Sequence, residues 1–320
     1  MRNLKFILNT FYSGPQAWFF LADDRGYFAR EGIRVEFTQG DTLANAVPKI
    51  ASGEFDVGYG DINALIEMNS QASSDVQALA VFATFNQSPY TIAVPANSTA
   101  LKPADLMGLK LASHPNDAAL RMLSEFALAC GVDASRLIPE LSTLPHSQMI
   151  AQMLKGTTWQ GMYGFVNTLR AAAMEMGSDP DTDLRFFEYR HYVPSLYGAA
   201  VMVGRGLAQK EPELIAGFVR AINDGLRDTV NDIDAAIQAV AKRDPAINKA
   251  ANRARLAGTL GLEMAHEEGQ RLGIGDVDSE RLNESIRLIV AAKKYAHTPL
   301  ADDVFTRAFL PPLSARVATL

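Results

Sequence analysis

The chain has 320 residues, with 30 Lys or Arg against 36 Asp or Glu, giving a formal net charge of −6 with the histidines neutral. Hydrophobic residues at 48% and charged residues at 21% exclude a disordered or collagen-like chain, and the acid excess argues against a protein that tracks nucleic-acid phosphates. A single cysteine, Cys130, excludes an internal disulfide and a cysteine-built zinc site, and no apolar run reaches the roughly 18 residues of a membrane-spanning helix. The length suggests two domains, and the apolar stretch at Phe6-Ile7-Leu8 is too short for a signal-peptide core.

In chain order, Leu4–Leu8 reads as a strand, followed by a polar and aromatic turn. Ala17–Glu31 reads as one helix, since Trp18, Leu21, Ala22 and Phe28 lie near helical spacing and Gly32 follows. Ile33–Thr38 is a second strand, Thr42–Ser52 a helix, Phe55–Tyr59 a strand, Ile62–Gln71 a helix and Val76–Phe82 a fourth strand. Strands alternating with helices of this length indicate βαβ units and a mainly parallel sheet. The pattern restarts with strand Lys110–Ser113, helix Asp117–Cys130, strand Leu137–Leu141, helix Ser147–Lys155, strand Gly161–Phe165 and helix Asn167–Met176. Strands at Phe186–Tyr189 and Leu196–Val203 follow, and beyond Gly206 the chain turns helical. There Ile215, Phe218, Val219, Ile222, Leu226 and Val230 keep helical spacing, as do Leu282, Ile286 and Ile289, up to Pro311-Pro312. A weak internal echo relates Gly53–Asn63 to Gly156–Asn167, as two similar lobes would produce.

Chemistry-bearing motifs are few. The five histidines include no pair at metal-ligand spacing, no Gly-Lys dipeptide marks a P-loop, and no Gly-x-Ser-x-Gly elbow is present. Cys130 ends an apolar helical stretch and reads as a core thiol. The informative places are the turns at the carboxyl ends of strands, where open α/β sheets bind ligands. In the first series these turns carry Thr10, Gln16, Asp41, Thr42, Asp61 and Ser88 as polar candidates. Phe11, Tyr12, Phe85 and Tyr90 are read as turn aromatics able to wall a flat ligand. In the second series the candidates are Asn116, Asp117, Ser147 and Tyr163. Any one of the small polar residues can instead cap a helix.

The segment containing Trp18, Ala22, Gly26-Tyr27-Phe28 and Glu31-Gly32-Ile33 resembles the helix-one signature of periplasmic substrate-binding proteins. It is closest in kind to the branch serving nitrate, sulfonate, taurine and thiamine-pyrimidine-precursor importers. Ala51-x-Gly53-Glu54-Phe55-Asp56-Val57-Gly58, Asp105-Leu106-x-Gly108-Leu109-Lys110 and Phe218-Val219-x-Ala221 with Ala235-Ala236 resemble later blocks of that family, in order. The resemblance implies an α/β fold of the two-lobed type II periplasmic-binding-protein architecture. Each lobe would be a mostly parallel sheet flanked by helices, and the chain would end in a helical tail. The first lobe would be residues 1–94 plus 197–320 and the second 95–196, closing over a small flat molecule.

The same resemblance implies the solute-binding component of an ABC importer. Such a protein is a monomer with no catalytic residues, no cofactor, no metal and no nucleic-acid partner, served by a membrane permease and an ATPase. It would work in the periplasm, its leader being absent from this sequence; a native start at Met1 would instead make it cytoplasmic. Two alternatives stand beside this: an enzyme of the same fold acting on a pyrimidine-like compound, and a free-standing ligand sensor. Pyrimidine-precursor binders tend to carry Trp at the place of Thr10, His at Gln16 and Asp at Trp159, so this chain departs from them. No Lys or Arg stands in the first-series turns, which departs from a sulfonate site as well.

Overall fold

The computed structural model describes residues 1–71 and 77–320. Its strands, in chain order, are β1 (Arg2–Ile7), β2 (Ile33–Thr38), β3 (Val57–Asp61), β4 (Ala78–Ala83), β5 (Tyr90–Pro95), β6 (Leu111–Ser113), β7 (Glu140–Leu141), β8 (Gly161–Phe165), β9 (Leu184–Glu188) and β10 (Ala199–Gly204). They fall into two compact units, Met1–Gln87 with Leu196–Leu320, and Ser88–Ser195. The first break therefore lies before β5, a strand that opens on Tyr90, which the sequence places in a turn. Val76, the expected start of the fourth strand, lies outside the described residues.

The first unit's sheet has the order β2-β1-β3-β10-β4. β1 runs parallel to β2 and β3, whereas β10 is antiparallel to both β3 and β4. The sheet is thus mixed, because the returning strand enters it between two strands of the outgoing series. One of its faces is covered by an aromatic core. Phe6 meets Phe19 edge-on at 4.9 Å between ring centroids and Phe218 at 5.8 Å, and Trp18 meets Tyr59 at 6.2 Å. The helix Pro212–Asn231 supplies Phe218 and buries the expected stripe of Ile215, Phe218, Val219, Ile222 and Leu226. It rests on the helix Ala17–Asp24 through Gly225, where an added Cβ would stand 2.4 Å from the Trp18 carbonyl oxygen and 2.6 Å from Ala22 Cβ.

Some helices differ from their expected bounds for local reasons. The stretch read as one helix over Ala17–Glu31 is two, Ala17–Asp24 and Tyr27–Arg30. Gly26 takes the left-handed conformation (φ 72°) and turns the chain there. The helix expected from Thr42 begins only at Ala46.

The second unit repeats the plan in the order β7-β6-β8-β5-β9, with β6 parallel to β7 and β8, and β5 antiparallel to β8 and β9. The internal echo falls on matching places. β3 runs straight into the helix Ile62–Gln71 and β8 into the helix Val166–Glu175, each next to the sheet's inserted antiparallel strand. Trp159 belongs to a methionine-rich core with Met149, Met153 and Met162, and its indole N–H donates to Glu140 Oε2 at 3.3 Å. The position where pyrimidine-precursor binders keep an acid is here a packing position.

The helical tail of the first unit includes Ile233–Arg243, Lys249–Gly258, a π-helical turn Thr259–Met264, Glu267–Leu272 and Ser279–Lys293. Its far end is held by buried Asp276, which pairs with Arg307 Nε at 2.7 Å and Arg316 Nη1 at 3.1 Å.

Two stability tests follow from this packing. Gly225→Val should destabilise the protein by roughly 1–3 kcal/mol in urea unfolding through overpacking against Trp18 and Ala22, more than its small gain in helix propensity. His266 caps the helix Glu267–Leu272, its Nδ1 accepting from the Glu268 N–H at 3.1 Å. Burial and then Arg281 hold its pKa below the usual 6.5, against Glu268 and Glu267. A histidine kept neutral in the fold contributes stability that is present above its unfolded pKa and is lost as pH falls below it. Urea unfolding at pH 7.5 and pH 5.5 should therefore show a larger acid loss for the parent than for His266→Asn, which caps without titrating.

Candidate functional site

Three turns of the first unit and one strand-to-helix junction gather at the carboxyl end of its parallel strands: residues 8–16 after β1, 39–45 after β2 and 84–87 after β4, with the Asp61–Ile62 step where β3 passes into its helix. The first two are in contact. The Gly40 N–H donates to the Thr10 carbonyl at 3.1 Å, and a Cβ on Gly40 would stand 1.9 Å from the Leu8 carbonyl oxygen. Helix Lys249–Gly258 closes over the first turn. The Gly14 N–H donates to Asn252 Oδ1 at 2.8 Å, and a Cβ on Gly14 would stand 2.1 Å from the Asn252 carbonyl oxygen.

Gln16 is fully buried under this turn. Its amide N–H groups donate to Asn9 Oδ1 and, at 2.9 Å, to Thr10 Oγ1. Its Oε1, Ser13 Oγ and Trp18 Nε1 are also buried and have no hydrogen-bond partner among the described residues. Buried polar atoms are nearly always paired, so three such atoms within six residues mark a place built to receive polar groups. In the same turn Phe11 is 59% exposed, whereas Tyr12 lies edge-on to Phe20 and its hydroxyl donates to the Phe37 carbonyl at 3.3 Å.

Other expected contacts are committed to local structure. Asp41 accepts from the Thr42 N–H at 2.9 Å and from Asn45 Nδ2 at 3.0 Å, and the Asn45 amide is the main reason its carboxyl sits below the usual range. Thr42 Oγ1 accepts from the Asn45 N–H. Asp61 Oδ1 takes the Asn63 N–H at 2.9 Å at the start of helix Ile62–Gln71, as a cap does. Phe85 is buried edge-on to Tyr59. The Tyr59 hydroxyl donates to Thr84 Oγ1 at 2.6 Å, and that hydroxyl donates on to the Ala199 carbonyl at 3.1 Å. Burial pushes the Tyr59 phenol well up, and the charge of Glu263 adds to this. Glu263 stands buried on the π-helical turn, a distortion frequent at functional sites. The sequence reading missed it; the signal was an acid inside the apolar run Leu260–Met264.

Tyr90 and Ser88 are placed differently from the expectation that they stand in a first-lobe turn. Both belong to the second unit. Tyr90 opens β5, with its ring 5.6 Å from Phe165 and 6.0 Å from Tyr189, because Pro89 ends the turn and the apolar run after it pairs on both sides. Ser88 is buried and its Oγ has no partner among the described residues.

In the second unit Asp117 caps helix Ala118–Arg121 by accepting from the Ala119 N–H at 2.8 Å, and desolvation raises its pKa against that bond. Tyr163 is buried, and its hydroxyl donates to the Leu137 carbonyl at 2.7 Å. Asn116 is exposed, and Ser147 is half-buried in the first turn of helix His146–Leu154. The rings of His114 and His146, 32 positions apart in sequence, lie 4.2 Å apart at this end of the unit.

Two other features bear on function. Burial pushes the Cys130 thiol up to about 11, which leaves little thiolate for nucleophilic attack. A cavity of about 400 Å³ opens at the opposite, amino end of the first unit's strands, where Arg2 and Glu211 pair with each other at 3.2 Å. Among the described residues no three His, Cys, Asp or Glu side chains group as a metal site.

A search of curated proteins gave no significant match. Solved structures are similar over nearly the whole chain. The periplasmic aliphatic sulphonate binding protein SsuA of Escherichia coli shares 14% identity over 97% of this chain and 92% of its own, with a TM-score of 0.70. The alkanesulfonate-binding protein SsuA of Xanthomonas axonopodis pv. citri, bound to MOPS, shares 13% over 95% and 98%, with a TM-score of 0.69. The enzyme DSZB in complex with biphenyl-2-sulfinic acid shares 14% over 97% and 98%, with a TM-score of 0.61. At such identities the likeness is one of fold. The family model described as NMT1/THI5 like matches residues 16–236, more than half of the chain. The protein therefore belongs to the NMT1/THI5-like family and carries the two-unit α/β fold of periplasmic binding proteins.

Proposed function

We propose that this protein is the solute-binding component of an ABC importer, acting in the periplasm as a monomer with a membrane permease and an ATPase as its partners. Its solute is a small, flat molecule, neutral or weakly charged, that leaves the protein unchanged. The observation that carries this reading is the set of buried polar atoms Ser13 Oγ, Gln16 Oε1 and Trp18 Nε1, without partners among the described residues, together with the exposed ring of Phe11 in the turn after β1. Few polar groups among aromatic surface is the composition that orients a small molecule. Thr10, Phe11, Tyr12 and Gln16 are the contacts proposed from the first unit. Two of the similar structures are sulfonate binders by name. In this chain these first-unit strand ends hold Asp41 and Asp61 and no Lys or Arg, a poor setting for a full negative charge. An enzyme of the same fold is the second reading, favoured by the likeness to DSZB.

Isothermal titration with a panel of neutral heteroaromatic compounds and alkanesulfonates tests this, with mass spectrometry of the recovered compound. A neutral heteroaromatic should bind and be recovered intact, and Phe11→Ala should weaken it about three- to tenfold, as the loss of one aromatic contact does. Preference for an alkanesulfonate, or equal affinity in Phe11→Ala, overturns the ligand assignment, and turnover overturns the transport reading.

The same variants separate surface from core. In urea unfolding without ligand Phe11→Ala should change stability by less than about 0.5 kcal/mol. Tyr90→Ala, which empties a buried place among Phe165 and Tyr189, should cost about 3–5 kcal/mol.

A further inference from the structure

The chain leaves the first unit after Gln87 and re-enters it at Leu196. Both places are gripped by the same side chain of the helical tail. The Arg281 guanidinium donates through Nη2 to the Asn86 carbonyl and, at 3.0 Å, to the Leu196 carbonyl. Its Nη1 donates to Glu268 Oε2 at 2.8 Å, and its Cζ lies over the Tyr197 ring, 4.0 Å from the centroid. Glu268, 4% exposed, also accepts from Asn86 Nδ2 at 3.2 Å, from the Tyr197 hydroxyl and from the Asp278 N–H at 2.7 Å. One carboxylate thereby takes a donor from the outgoing segment, one from the returning segment and two from the tail.

Further bonds extend the grip. The Gln87 N–H donates to the Glu263 carbonyl at 2.9 Å, Asn63 Nδ2 to the Tyr197 carbonyl at 2.7 Å, and the Gly198 N–H to the Phe85 carbonyl at 3.0 Å. On the far side of the outgoing link, the Pro89 carbonyl already accepts from Val166 N–H in the second unit's own structure.

We infer that Arg281 and Glu268 form an anchor that fixes the outgoing segment at Asn86 and the returning segment at Leu196–Tyr197 jointly to the helical tail, so that the two segments loosen together when it is removed. Arg281 is a positioning residue in this device. Its planar fork is suited to spanning two carbonyls and a carboxylate, which a lysine ammonium cannot match in geometry.

Hydrogen exchange on the full chain, read by mass spectrometry without added ligand, tests the anchor. In Arg281→Met the amides of residues 84–87 and 197–199 should exchange faster together, by about tenfold or more, with those of β1 and β8 unchanged. Arg281→Lys should not restore the parent rates. Tyr197→Phe, which removes one hydroxyl, should speed the Asp278 amide and leave 84–87 near the parent rate. A response in one segment only, an even rise throughout the first unit, or full rescue by lysine overturns the inference. Should Arg281→Met fail to fold, Glu268→Gln carries the same test: faster exchange in both segments supports the anchor, and parent rates in both overturn it.

Discussion

The carboxylate of Glu268 is the constraint on which the strand-end face of the first unit depends. It sits out of water with four donors on its two oxygens, as many as an ionised carboxyl can accept. A buried charge so matched is neutral or modest in net stability, but removing its charged partner Arg281 leaves it uncompensated at a cost of about 3–5 kcal/mol. Its donors come from the turn after β4, from the entry to β10 and from the tail, so these three segments take their positions jointly. Where Leu196 enters fixes where β10 lies between β3 and β4. The turn that carries Thr84 and Phe85 is then held against Ala199.

The polar residues of the strand-end turns separate into two kinds. Asp41, Thr42, Asp61 and Asp117 spend their oxygens on backbone and side-chain donors within four residues, and each starts or steadies a helix. Ser13, Gln16 and Trp18 keep an atom unspent although they are buried. A cap already satisfied gains little from a ligand, whereas an unpaired buried atom stands to recover its desolvation cost by meeting one. This asymmetry, more than residue type, distinguishes the candidate contacts in the first unit.

Much of the fold was legible in the sequence because buried faces leave a period. Ile33–Thr38, Ile62–Gln71 and Gly161–Phe165 are observed with the bounds that apolar patterning and flanking turn residues predict, and the stripe from Ile215 to Leu226 is a buried helix face. Strand direction leaves no such mark, so the antiparallel insertions of β10 and β5 were hidden. β5 has a second reason: Asn86–Pro89 carries a strong turn signal that takes in Tyr90, and the short stretch Thr91–Pro95 after it offers too little pattern to read as a strand. The candidate site was legible as a set of turns but not as a set of roles. Whether Tyr90 walls a ligand or fills a core depends on Phe165 and Tyr189, which lie far away in sequence. Glu263, the His114–His146 contact and the grip of Arg281 on two carbonyls likewise exist only once distant segments meet.

The place of β10 also orders events in time. β3 and β4 cannot be joined until residues 199–204 arrive, after the whole of Ser88–Ser195 has emerged from the ribosome. The second unit is one continuous segment with every strand of its sheet in hand, so it can condense while the first unit still lacks a central strand. Without β10 the facing edges of β3 and β4 have no partner in the sheet, and unpaired apolar strand edges are the kind of surface that recruits chaperones or neighbouring chains. The first unit's sheet is thus complete only when β10, made after the whole second unit, takes its place between β3 and β4.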